Sequence, residues 1–277
     1  MINSYSRLTA IFLILLLTPF SAPAQQPSPE VSTLEAIKAE FDAVPCKDGE
    51  RLAAVRALFE KLGATEADFT LEEYKQAENF IVRKPGKSPE TIIIGAHYDK
   101  VTNGCGAIDN WSGIVAVAHI YRTLKNVPTQ KNILFVAFGN EEKGLFGSQA
   151  MVRAIEKEHL GQYCGMINID SLGMARPQVL DNASSKKMIE LAENLAKEMK
   201  MPFGHASVAG ADADSSSFVA RKIPAVTIHG LSNDWRTVLH SRNDQASRVN
   251  ETSVYLGYRL ALSVLVRVDQ SACADFR

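Results

Sequence analysis

Hydrophobic positions along the 277-residue chain fall into two alternating periods. Leu34, Ile37 and Phe41 recur at helical spacing, and Ser32 with Glu35 just ahead of them reads as a capping box. Leu52, Val55, Phe59 and Leu62 form a second apolar stripe that stops at Gly63. Further on, unbroken apolar runs over Thr91–Ala96, Ile133–Phe138, Met166–Ile169 and Ala225–Ile228 read as buried strands. Helical stretches Gly113–Leu124, Leu145–Glu158, Ser185–Met199 and Glu251–Val268 separate and follow them. Strands alternating with helices of this length predict an α/β fold, with a mostly parallel central sheet covered by helices on both faces. No internal repeat or composition break divides the chain, so a single domain is expected.

The first residues belong to a different pattern. Arg7 is the sole charge before Ala24, Ala10 to Leu17 is wholly apolar, and Ser21-Ala22-Pro23-Ala24 ends in small residues. This reads as a secretory signal peptide over residues 1–24, which would leave a mature domain of 25–277 that is secreted or periplasmic. The apolar run is shorter than the roughly 20 residues of a spanning helix, and no later stretch reaches that length, so no membrane span is expected after cleavage. Export would place Cys46, Cys105, Cys164 and Cys273 where disulfides persist. Three connectivities are possible; a Cys46–Cys273 clip would tie the two ends of the domain together. With 46% hydrophobic and 22% charged residues the chain is globular, and a net charge of −1 lacks the basic excess of a nucleic-acid binder. A monomer is the default expectation.

Candidate chemistry collects at the ends of the strand runs, where open α/β sheets place their sites. His97 and Asp99 follow the first run and share a face if the segment is extended, so the carboxylate could orient the imidazole. Asp109 opens Asp109-Asn110-Trp111-Ser112-Gly113 just before a helix whose N-terminal dipole favours a carboxylate. Glu141 and Glu142 follow the second run; in an extended backbone one could ligate a metal while the other faced a substrate. Asp170 ends the third run, and His240 lies in a late loop, Leu239 to Asp244. Each motif alone also fits a helix cap or a solvated turn. Together they form an oxygen and nitrogen donor set of the kind that binds zinc.

The ordered series His97-x-Asp99, DNWSG, NEEKGLFGS, NIDSLG and HSRND resembles the co-catalytic dizinc aminopeptidase family, which also contains glutaminyl cyclases, from about Thr91 to the last helix. The resemblance implies a single-domain three-layer sandwich with a mixed, mostly parallel sheet. It implies two zinc ions per chain, with Asp109 bridging them, His97 and Asp170 completing one shell and Glu142 and His240 the other. Glu141 matches the general base, and Asp99 the residue behind His97. The implied activity is removal of N-terminal residues from peptides with a free N-terminus, by a water activated between two zinc ions. A glutaminyl cyclase and a non-catalytic zinc-binding domain are the alternatives. Zinc rather than manganese or cobalt rests on the resemblance. One stretch departs from it: Ser215 follows Asp214 where relatives commonly carry His, so Asp214 could hold a substrate amine or orient a neighbour.

Overall fold

In a computed structural model of the chain, residues 1, 29–208 and 210–277 are described; the expected signal peptide lies outside them but for Met1. The chain begins with two helices, α1 (Leu34–Lys38) and α2 (Asp48–Lys61), followed by the hairpin strands β1 (Phe69–Glu73) and β2 (Glu78–Lys84). Then come β3 (Thr91–His97), α3 (Ser112–Leu124), β4 (Asn132–Phe138), α4 (Phe146–Ala154) and β5 (Tyr163–Ile169). The last part holds β6 (Gln178–Leu180), α5 (Lys186–Glu198), β7 (Gly204–Ala206), α6 (Asp214–Ala220), β8 (Ala225–His229) and α7 (Glu251–Gln270).

The strands form one mixed sheet in the order β1-β2-β4-β3-β5-β8-β6-β7. Its centre, β4-β3-β5-β8, is parallel, and antiparallel pairing begins at β2 on one side and β6 on the other. Period-two alternation sorts the central residues onto two faces. Ile92, Ile94, Phe135, Ile167 and Ile228 pack into a core shared with α2, α3 and α7, whereas Ile93, Val136, Phe138 and Met166 pack with α4 and α6. Ile92, Ile93 and Ile94 have no exposed surface, and burying each such side chain stabilises by roughly 1.5–3 kcal/mol. Two buried faces explain why these strands read as continuous apolar runs, and they give the expected three-layer α/β architecture.

Four local expectations are corrected. The N-cap of α1 is Thr33, whose hydroxyl accepts from the Ala36 N–H; the Ser32 hydroxyl instead meets buried His119 at 2.9 Å. The helix expected over Leu145–Glu158 stops at Ala154, because Ile155 turns to extended backbone and its side chain is buried against the sheet. Disulfides join Cys46 to Cys105 and Cys164 to Cys273, not Cys46 to Cys273. The first ties the segment before α2 to the loop after β3, and the second ties β5 to the C-terminus. The Glu141–Glu142 segment is not extended; it forms a turn between Asn140 and Leu145, both of which have φ near +60°.

Candidate metal centre

Four of the expected residues sit at the carboxyl edge of the parallel strands. His97 ends β3, Asp170 directly follows β5, and the turn bearing Glu141 and Glu142 follows β4. His97 is almost fully buried, and its Nδ1 lies 3.1 Å from the Asp99 backbone carbonyl. With Nδ1–H donating there, Nε2 is left free to bind, 3.1 Å from Asp109 Oδ1 and 3.6 Å from Asp170 Oδ1. The Asp99 carboxylate has another task. Its Oδ1 is 3.7 Å from His97 Nδ1, while its two oxygens accept the Glu141 and Glu142 N–H groups at 3.0 and 3.2 Å. Asp99 therefore pins the Glu141–Glu142 turn, and its backbone rather than its side chain makes the close bond to His97.

Asp109 and His240 come from loops. The backbone enters through Gly106, in the left-handed region, and the Asp109–Asn110 peptide is cis. Asp244 accepts the Ile108 and Asp109 N–H groups at 2.7 and 3.0 Å. Buried Asn110 donates to the Ile169 carbonyl and accepts from Gly113 and Ser171, which lashes this loop to the end of β5. Gly113 must be glycine here, since a Cβ would collide with the Asn110 side chain and the Ile169 carbonyl. From α2, fully buried Arg51 donates to the carbonyls of Tyr98, Pro45, Cys105 and Gly106. Burial lowers its pKa to about 10 against the opposing pull of Asp109, Asp244, Asp48 and Asp99.

The Asp109 carboxylate faces a different imidazole with each oxygen: Oδ1 lies 3.1 Å from His97 Nε2, and Oδ2 lies 3.1 Å from His240 Nε2. His240 Nε2 is also 3.2 Å from Glu142 Oε2, while Glu142 Oε1 is buried with no hydrogen-bond partner among the described residues. Ligands about 2.0–2.2 Å from a tetrahedral ion lie roughly 3.3 Å apart, so these separations suit donors converging on ions. His97, Asp109 and Asp170 could hold one cation, and Asp109, Glu142 and His240 a second.

The electrostatics point the same way. Hydrogen bonds to Asp109 and Glu142 raise His240 to about 10. Burial alone would lower His97, but the Glu141 charge and bonds to Asp109 and Asp170 hold it well above its usual value. The carboxylates thus draw positive charge into the site, and a divalent cation can take the place of those protons. Glu141 behaves differently. Burial pushes its carboxyl well above the ordinary range; Asp170, Asp214 and Asp109 add to the shift and His97 opposes it.

A cavity of about 610 Å³ opens beside these groups, bounded by Asp109, Glu141, Glu142, Asp170 and His240 on one side. Leu180, Leu231, Trp235 and Leu239 line its apolar part, and His229 lies among them. Asp214 is fully buried and is not among the residues lining this cavity, so it is not placed to hold a substrate amine. Ser215, at the departure from the family pattern, is turned to Thr227 at 2.6 Å and to the Ala183 carbonyl.

All seven expected site residues therefore gather at one end of the sheet. Sequence reasoning did not find Asn110, Asp244, Arg51 or His229. Arg51 carried a readable signal, a charge on the stripe that also holds Val55 and Phe59; the other three carried none beyond lying in or near the motifs.

A model of Peptidase family M28 matches residues 79–264. The chain is similar to aminopeptidase YwaD of Bacillus subtilis, 37% identical over 130 residues that cover 46% of this chain and 27% of that protein. It spans between about a fifth and a half of the length of the curated relatives it matches. Its fold is similar to that of a zinc aminopeptidase from Bacillus subtilis, with a TM-score of 0.64 and 23% identity over 72% of this chain and 52% of that one. It is also similar to an Acidobacteriales bacterium glutaminyl cyclase, with a TM-score of 0.74 and 18% identity over 91% of this chain and 99% of that one.

Proposed function

The chain belongs to peptidase family M28, and we propose from that premise that it is a zinc-dependent aminopeptidase acting on peptides with a free N-terminus. The observation that carries this reading is the Asp109 carboxylate, set between His97 and His240 with each oxygen 3.1 Å from one imidazole, beside Glu141 on the cavity wall. In this reading His97, Asp109 and Asp170 hold one zinc ion, and Asp109, Glu142 and His240 the other. Zinc, when bound, would acidify the attacking water and polarise the scissile carbonyl.

The remaining work falls to the chain. Glu141 takes the proton of the attacking water and passes it to the leaving amine; burial raises its carboxyl above the ordinary range, which makes it a stronger base for that proton. Asp99 holds Glu141 in place through the backbone bond. The two disulfides support export, since such bonds persist in oxidising compartments. Among the described residues no helix is long and apolar enough to cross a membrane.

A second reading has its own support: in fold the glutaminyl cyclase is matched over 99% of its length, whereas the zinc aminopeptidase from Bacillus subtilis is matched over 52%. One experiment separates them. Zinc-loaded protein is incubated with free, N-acetylated and Gln-initiated peptides, with and without chelator, and the products are weighed by mass spectrometry. Stepwise loss of N-terminal residues from free peptides only, abolished by chelator, is the expected result. Loss of ammonia from the Gln peptide alone would make the protein a cyclase, and unchanged peptides throughout would leave a zinc-binding domain.

A further inference from the structure

The cavity carries a cation that the chemistry above does not use. Among the described residues that line it, Arg236 is the only lysine or arginine; the other charged groups, the histidines apart, are the carboxylates of the metal-facing wall and Asp212. Arg236 sits in a short helical turn, Trp235–Thr237, four residues ahead of His240. That turn is tied to the loop bearing His240: the Leu239 N–H donates to the Trp235 carbonyl at 2.9 Å, and the Asn243 amide donates to the Thr237 carbonyl at 2.8 Å. The Arg236 side chain is exposed, and its guanidinium carbon lies 4.4 Å from the centroid of the Trp235 ring, which belongs to the same cavity wall. Stacking on an indole occupies the flat of a guanidinium and leaves the N–H donors, which lie in its plane, free to meet an acceptor. Among the described residues no carboxylate, Asp212 included, comes within salt-bridge range of this group, and the Trp235 ring is its one recorded contact.

We propose that Arg236 sets specificity by binding a carboxylate on the part of the substrate beyond the scissile bond. The inference rests on the aminopeptidase reading, in which the free amino group and the scissile carbonyl meet the metal-facing wall. The cavity then has a polarity, with carboxylates crowded on that wall and a cation on its exposed side. A short peptide has the matching polarity, an ammonium at one end and a carboxylate at the other. The volume of about 610 Å³ falls in the range, roughly 300–1,000 Å³, that buries a drug-sized ligand, so a peptide of about two or three residues would have its C-terminus within the cavity. The planar fork of a guanidinium meets a carboxylate through two parallel hydrogen bonds. That C-terminus and an Asp or Glu side chain just after the scissile bond offer the same group.

The test uses two pairs of peptides that begin with Leu and tells these sources apart. Leu-Ala-Ala with a free C-terminus is compared with its C-terminal amide, and Leu-Glu-Ala amide with Leu-Gln-Ala amide. In the wild-type protein kcat/KM should favour the charged member of at least one pair by about three- to tenfold, the worth of a charge-assisted bond at an exposed site. The difference should lie in KM, since the contact is the same before and during bond cleavage. Arg236→Gln should abolish the preference, Arg236→Lys should keep part of it, and Arg236→Glu should invert it. Salt at about 1 M, where charges are screened beyond about 3 Å, should shrink it in the wild type. No preference in either pair, or one that survives in Arg236→Glu, would overturn the inference; loss of mere packing would lower both members of a pair together.

A second measurement needs no turnover. Calorimetric titration of the zinc-loaded wild-type and variant proteins with D-Leu-Ala-Ala, as free acid and as amide, reads the preference on ligands that resist cleavage. If no L-peptide is cleaved but the free acid binds more tightly in an Arg236-dependent way, the aminopeptidase reading fails and the role of Arg236 stands. If peptides are cleaved and neither the kinetic nor the calorimetric preference depends on Arg236, the reading stands and the inference falls. Neither cleavage nor an Arg236-dependent preference would remove both.

Discussion

The two halves of the site are built by different means. His97 and Asp170 stand at the ends of β3 and β5, adjacent strands in the middle of the sheet, so ladder hydrogen bonds and two buried faces place them. Asp109 and His240 hang from loops, and separate ties hold them: Asp244 on the Ile108 and Asp109 N–H groups, Asn110 on the end of β5, and Arg51 with the Cys46–Cys105 bridge on the loop after β3. A strand end inherits its position from the sheet. A loop ligand needs anchors, and here they come from 135 and 136 residues away in the case of Asp244 and from 54 in the case of Arg51. The loop half should therefore be the one that mutation loosens.

The largest effect is expected at Glu141, which the sheet-end half supplies but which should not be needed to bind metal. Glu141→Gln should cut turnover by about 10²–10⁴-fold, the usual worth of a general base, with bound zinc unchanged by metal analysis. Turnover within a few-fold of wild type would remove Glu141 from the mechanism. Zinc lost along with turnover would mean that the two halves are not separable at this residue.

The disulfides offer a sharper contrast because they tie different halves. Replacing either pair with serine should lower unfolding stability in urea by roughly 2–5 kcal/mol. The consequences for zinc should diverge. Loss of Cys46–Cys105 frees the loop that leads to Asp109 and should weaken zinc binding, whereas loss of Cys164–Cys273, at the far end of β5, should leave it intact. Equal weakening by both would abolish the distinction between a sheet-held and a tether-held half.

Asp244→Ala removes the acceptor for two backbone N–H groups on the Asp109 loop while sparing every proposed ligand. Zinc affinity should fall about 10–100-fold, as for other groups that orient a ligand from behind, and competition with a chromophoric chelator would measure it. Unchanged affinity would show that Asn110 and Gly113 suffice to hold the loop.

The same contrast decides what could be read from the sequence. The four central strands were legible because residues such as Ile93 and Phe135 are buried whichever face they take, leaving an unbroken apolar run. The strand β1 was not, since Thr70, Glu72 and Glu73 sit at an exposed sheet edge and break any apolar pattern. The residues proposed as ligands were legible because each lies within or just after a short motif with its own residue order. Their supports were not: Arg51 and Asp244 act across long stretches of chain, and no periodicity records that a hydrogen bond will form there. The cap at Ser32 was misread for the same reason, its hydroxyl being taken by His119, 87 residues away. Disulfide pairing, too, depends on which loops meet in space.

The last effect is read through pH and concerns Asp214, at the start of α6 behind the sheet-held half. It has no exposed surface, neither carboxylate oxygen has a hydrogen-bond partner among the described residues, and burial raises its pKa to about 7. An unfolded Asp titrates near 3.9, so between about pH 4 and 7 the folded chain holds a proton that the unfolded chain has lost. Folding then takes up a proton, and stability falls as pH rises through that window, by at most about 1.4 kcal/mol per pH unit, and levels off above it. Asp214→Asn cannot ionise and should lack this contribution. Urea unfolding in chelator at pH 4, 5.5 and 8 should show the variant gaining on wild type as pH rises. A constant difference would mean that Asp214 finds a partner when ionised, and that the polar packing behind the sheet ends is as firmly tied as the loop half.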